Sequence, residues 1–201
     1  MKYQEIESSF FIQNRKKLVN CLEPNSLVLL SSNDEMPETG DQCFPFRQNA
    51  DFFYLTGIDQ EKSILALCPQ HPNPQYREVL FLLQTNETIA VWNGYKYTIE
   101  HAQRVSGIQN VQWLSNFDSL LKEMAYASEK IYLNLQENYR FTTEVERQEL
   151  RFSKKIQQLF PLHTYGRLAP LFTHLRLRKK SVKINLIKRS CDIRHRPLND
   201  C

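Results

Sequence analysis

Short apolar runs of strand length alternate along the chain with longer segments whose apolar positions recur at helical spacing. Ser26-Leu27-Val28-Leu29-Leu30, Ser63-Ile64-Leu65-Ala66-Leu67-Cys68 and Glu78-Val79-Leu80-Phe81-Leu82-Leu83 are bounded by turn formers. Nearly continuous runs of this length predict strands buried on both faces. Pro69, Pro72, Asn73 and Pro74 predict a stiffened loop between the second and third. Thr88–Trp92, ended by Asn93-Gly94, and Lys130–Asn134 read as two further strands. Residues 3–21 place Phe10, Phe11, Ile12, Leu18 and Val19 among polar side chains and predict a loosely amphipathic helix. Residues 97–105 and 116–127 predict two more helices, the second capped by Asn116 with Phe117, Leu120, Leu121 and Met124 on one face. A longer helix is expected from a Thr142 or Thr143 cap to Leu159, with Glu144, Glu146 and Glu149 near its positive end and Pro161 beyond it. Residues 33–43 are polar and turn-rich, a surface loop. The alternation predicts an α/β fold, a mixed central β-sheet flanked by helices.

A chain of 201 residues suits one domain with a short connecting segment. Hydrophobic residues make up 41% and charged residues 24%, the balance of an ordinary globular protein. The net charge of +4 is local. Nine of the 26 basic side chains lie in residues 176–196 with Asp192 as the sole acid there, so 17 basic and 21 acidic side chains make the remainder net negative. Five cysteines (Cys21, Cys43, Cys68, Cys191 and Cys201) show no CxxC pairing and read as reduced thiols. The N-terminus lacks a signal-peptide run and no stretch approaches a membrane span, so a cytoplasmic protein is expected, with no membrane partner. The five histidines are dispersed without HExxH spacing, and no P-loop, GxGxxG or GxSxG element occurs. No metal site is expected in this chain.

The densest local signal is Phe46-Arg47-Gln48-Asn49-Ala50-Asp51-Phe52-Phe53-Tyr54-Leu55-Thr56-Gly57. Its aromatic run is an apolar anchor. Asn49 suits the cap of a helical turn, and Gly57 suits a left-handed stop. Arg47 and Asp51 stand at a spacing that a helical turn would pair. This segment resembles the R-x-N-x-D-F-x-Y-L-T-G pattern of the N-terminal domain of aminopeptidase P proteins. Trp92-Asn93-Gly94 is similar to the family's W-x-G turn, and Leu175–Ser181 resembles its linker. The resemblance implies residues 1–174 as that domain, of the creatinase-like kind, and residues 175–201 as the linker and the first helix of a catalytic domain. After Ile193 the likeness stops, and Pro197 would break a helix.

What the resemblance implies about function is an expectation. Active members hold two manganese ions through carboxylates and a histidine in a C-terminal "pita-bread" domain, which suits hard cations and activation of a bridging water. This chain is expected to end before those ligands and to be inactive alone. Its role would be to gate access for peptides with proline at the second position, to pack on its own catalytic domain, and to support a homo-oligomer. Candidate residues of the substrate rim or interface are Arg47, Asn49, Asp51, Tyr54 and Trp92. The alternatives are a standalone association scaffold, or a module whose basic tail binds nucleic acid or an acidic partner. The tail lacks the interleaved aromatics of single-strand binders, which weighs against nucleic acid.

Overall fold

The structure is a computed structural model that describes residues 6–85, 96–137, 140 and 144–177, with residues 184, 187, 188 and 191. Its centre is a six-stranded mixed sheet in the order β6-β5-β4-β1-β7-β8. The strands are β1 (Ser26–Ser31), β4 (Ile64–Leu67), β5 (Glu78–Leu82), β6 (Asn110–Trp113), β7 (Lys130–Leu133) and β8 (Thr164–Arg167). β4 runs antiparallel to both β1 and β5, whereas β6, β7 and β8 join by parallel pairing. Antiparallel β4 and β5 need only the proline-bearing loop between them, while parallel partners require crossovers, which the helices supply.

Among the described residues six helices cover the sheet: α1 (Ser8–Val19), α2 (Ala50–Thr56), α3 (Ile99–Ser106), α4 (Phe117–Tyr126), α5 (Gln148–Leu159) and α6 (Ala169–Leu177). Side chains alternate across a strand, so each strand feeds two cores. Val28, Leu30, Leu65, Leu67, Leu80 and Leu82 join Phe10, Phe11, Phe52, Leu55, Val105 and Phe172 on one face, under α1, α2, α3 and α6. Leu27, Leu29, Ala66, Val79, Phe81 and Ile131 join Phe117, Leu121, Met124, Phe152 and Ile156 on the other, under α4 and α5. Every residue of β1 and β4 is buried, which is why their runs are apolar at successive positions.

The expected strands at β1, β4, β5 and β7 are present, and the expected strand at Thr88–Trp92 lies outside the described residues. β6 and β8, unanticipated, are the sheet's edges among the described residues and carry polar residues that an edge tolerates. The expected surface loop holds a small exposed ribbon, β2 (Pro37–Thr39) paired with β3 (Gln42–Cys43), turning at Gly40 with φ +56°. Helix starts needed correction. Asn116 makes no side-chain cap on α4, because it is itself αR after a 3-10 turn and its amide donates to Gln112 Oε1 (3.1 Å). α5 begins at Gln148, and Thr142 and Thr143 lie outside the described residues.

Candidate functional site

The segment that stood out in the sequence is the hub of the fold. Asn49 is a buried cap of α2: its side-chain oxygen accepts from the backbone N–H of Asp51 (2.9 Å) and Phe52 (3.2 Å). Two orphan donors of the helix start are thereby satisfied. Gly57 ends the same helix at φ +71°, donating its N–H to Phe53 O (2.9 Å). Between cap and stop, Phe52, Tyr54 and Leu55 enter the core. Tyr54 meets Phe10 and Phe172 edge to face, with centroids at 6.2 and 6.5 Å. Burial raises its phenol's pKa, partly opposed by the charge of Arg176.

Asp51 does not pair with Arg47. The helix begins at Ala50, so Arg47 precedes the cap and the spacing that would pair them is not helical. Asp51 instead accepts from Asn134 Nδ2 (3.2 Å) at the end of β7 and from Arg176 in the last turn of α6. Arg47 is exposed, held by its carbonyl, which accepts from Asn33 Nδ2 (2.8 Å). Trp92 lies outside the described residues.

Around this helix start the polar groups lock together. Gln48 accepts from the N–H of Asn33 (3.1 Å) and Asn49 (2.8 Å) and donates to the carbonyls of Ile58 (3.1 Å) and Gln60 (2.9 Å). The amide of Asn49 donates to Glu149 Oε2 (3.0 Å), and Glu149 Oε1 accepts from the N–H of Gln136 (3.0 Å). Burial raises the pKa of Glu149; hydrogen bonds from Gln136 and Asn49 and the charge of Arg147 oppose that, while Asp51 adds to it. Outside the lock, a cleft of about 540 Å³ is lined by Met36, Phe44, Arg47, Val145, Arg147 and Gln148, among others. Met36, Phe44 and Val145 are 44%, 53% and 57% exposed, so apolar surface faces solvent around Arg47.

Two structural polar residues escaped the sequence reading. Arg15 is fully buried, donating to Leu55 O (2.8 Å) and Ser106 O (2.9 Å) at the C-terminal ends of α2 and α3 and pairing with Glu78 at 3.2 Å. It neutralises the negative ends of two helices at once. Glu149 occupies the buried stripe of α5 with Phe152 and Ile156. The signal for each was present: a charge at helical spacing with apolar neighbours, Phe11 and Leu18 in the first case. Among the described residues, no three His, Cys, Asp or Glu side chains group so as to hold a metal ion.

The family model described as "Aminopeptidase P, N-terminal domain" matches residues 11–132. The Xaa-Pro aminopeptidase of Escherichia coli is 25% identical over 191 residues, covering 94% of this chain and 43% of that protein. The mitochondrial intermediate cleaving peptidase 55 of Arabidopsis thaliana is 28% identical over 185 residues, covering 91% of this chain and 34% of its own. A Bacillus anthracis structure described as an aminopeptidase P matches with a TM-score of 0.81 at 29% identity, over 92% of this chain and 43% of that one. The chain thus spans less than half the length of these relatives. With more than half of its residues inside the family model, and a mixed sheet with flanking helices like that of its structural neighbours, the chain belongs to the aminopeptidase P N-terminal domain family.

Proposed function

We propose that this chain serves as the non-catalytic N-terminal domain of a Xaa-Pro metalloaminopeptidase, packing on a catalytic domain, gating its cleft and supporting oligomerisation. The observation that carries this reading is the family match on a chain covering 43% of the Escherichia coli Xaa-Pro aminopeptidase. The site geometry supports it. A rigidly capped segment presents Arg47 at the mouth of an open cleft bordered by exposed Met36, Phe44 and Val145. A wall of that kind selects by exclusion, admitting a free N-terminus followed by proline and refusing chains that do not fit. Asn49, Asp51 and Tyr54 act at this wall by holding it in place. Trp92 is proposed as an interface anchor.

In this reading the hydrolytic chemistry belongs to polypeptide outside this chain. Two manganese ions would be held there by clustered carboxylate and imidazole donors and would activate a bridging water. A cytoplasmic location belongs to the same reading and fits the free thiols of Cys21, Cys43 and Cys68. The test is release of the first residue from Xaa-Pro peptides by the purified chain with Mn²⁺. No release is expected, and turnover proportional to this polypeptide overturns the non-catalytic assignment. Light scattering on the same sample addresses association, and a strict monomer at high concentration removes the oligomerisation role.

A further inference from the structure

We infer that the Asp51–Arg176 ion pair is a joint: it pins the last turn of α6 to the first turn of α2 and fixes where α6 ends on the domain. The pair joins residues 125 positions apart. The side chain of Asp51 is only 13% exposed, and both its oxygens are engaged, one by Arg176 and one by Asn134. The guanidinium carbon of Arg176 lies 5.8 Å from the centroid of the Tyr54 ring, a cation–π distance. Phe172, one turn earlier on α6, touches the edge of the same ring. Charge and aromatic contact therefore close on α2 from a single face of α6.

Each charge is also held where its own helix favours it. Asp51 stands in the first turn of α2 and Arg176 in the last turn of α6, so the two dipoles stabilise the ions before they meet. The joint is thus favoured electrostatically at both ends. Its other consequence is mechanical. Arg47, on the cleft wall, and Asp51, in the joint, belong to one short segment anchored by Asn49 and Gln48. The last turn of α6 is thereby held by the same segment that carries Arg47. The consequence for gating rests on the proposed function, whereas the joint itself rests on the contacts within this chain.

Hydrogen exchange of the intact chain, read on peptides from α6, tests the joint. Asp51→Asn keeps the size of the side chain, and Arg176→Gln removes the charge at the other end. Each variant is expected to exchange about fivefold faster in the last turn of α6, the effect of losing one ion pair near the surface. The double variant should show the same fivefold increase rather than its square, since either change breaks the one interaction. Arg176→Lys, which keeps the charge, should retain most of the protection. Peptides from α1 and β1 must exchange as in the parent chain, which shows that the fold is intact. Single variants indistinguishable from the parent, or a double variant whose factors multiply, would overturn the joint. Neither result bears on peptidase activity or on association, so the joint and the proposed function can fail separately.

Discussion

Replacing Gly57 by alanine puts a methyl group into the ring of Phe11. At φ +71° an added Cβ would stand 2.5 Å from Phe11 Cε2 and 2.6 Å from Cζ. Phe11 has little room to withdraw, being 1% exposed and packed edge-on to Phe10 at 5.4 Å and Phe53 at 6.1 Å. Two costs add. A left-handed backbone costs an L-residue about 1–2 kcal/mol, and forcing an extra carbon into a packed core costs about 1–3 kcal/mol. Reduced freedom of the unfolded chain returns about 0.4–1 kcal/mol. The expected net loss is about 2–4 kcal/mol, a large share of a typical domain's roughly 5–15 kcal/mol. Gly40→Ala is the control: φ is +56° there too, but no atom lies within 4 Å of the added carbon. It should cost only about 1 kcal/mol, the backbone part. Urea denaturation gives both values from the midpoint shift, provided the slope is unchanged. Equal losses at the two glycines would refute the claim that Phe11 is held rigidly over the stop of α2.

Glu149→Gln should destabilise the chain by about 1–3 kcal/mol at neutral pH. Asn49 cannot turn its amide round without losing the cap on α2, so the new Gln donor would face a donor. The parent's advantage should widen in acid. The folded-state pKa of Glu149 lies above 4.5 because of burial, so protonation as pH falls through it adds stability, complete below about 4.5, that glutamine cannot gain. Denaturation midpoints across that range check it, and a gap that narrows in acid contradicts the burial argument. Arg15→Leu leaves the carbonyls of Leu55 and Ser106 without their donor and Glu78 without its charge partner. A loss of about 2–4 kcal/mol is expected by thermal unfolding, from two carbonyls left without a donor, and a near-neutral result would show that those helix ends find water instead.

What the sequence made legible follows from what each residue answers to. β1, β4 and β5 lie inside the sheet with both faces covered, and successive apolar residues are the direct record of that position. β6 (Asn-Val-Gln-Trp) and β8 (Thr-Tyr-Gly-Arg) are edges, and their mixed composition reads as loop until a neighbouring strand is placed beside it. β8 shows the limit well: a Cβ at Gly166 would come within 2.4 Å of the Tyr132 ring, a requirement set by a residue on another strand. Local chemistry was readable at some positions whose partner is also local, though not at Asn116, where a 3-10 turn precedes α4. Asn49 and Gly57 were placed by rules that involve only the next few residues, and both hold. The partner of Asp51 was missed because Arg176 is 125 positions away, and helical spacing proposed the nearer Arg47 instead.

The same distinction divides the candidate site. Asn49 spends its oxygen on α2 and its amide on Glu149, and Tyr54 is enclosed by Phe10, Phe172 and Arg176. Asn49 has both polar atoms engaged and touches a ligand only if the fold opens, which would break the cap that α2 depends on. Arg47 differs: it is exposed, its carbonyl is fixed by Asn33, and it borders the cleft with Arg147 and exposed Phe44. Under the proposed function, contact with a substrate would therefore fall to Arg47. In this chain the segment meets two requirements at once. One is a helix start rigid enough to present an arginine, and the other is a carboxylate, Asp51, that ties the end of α6 to the same place.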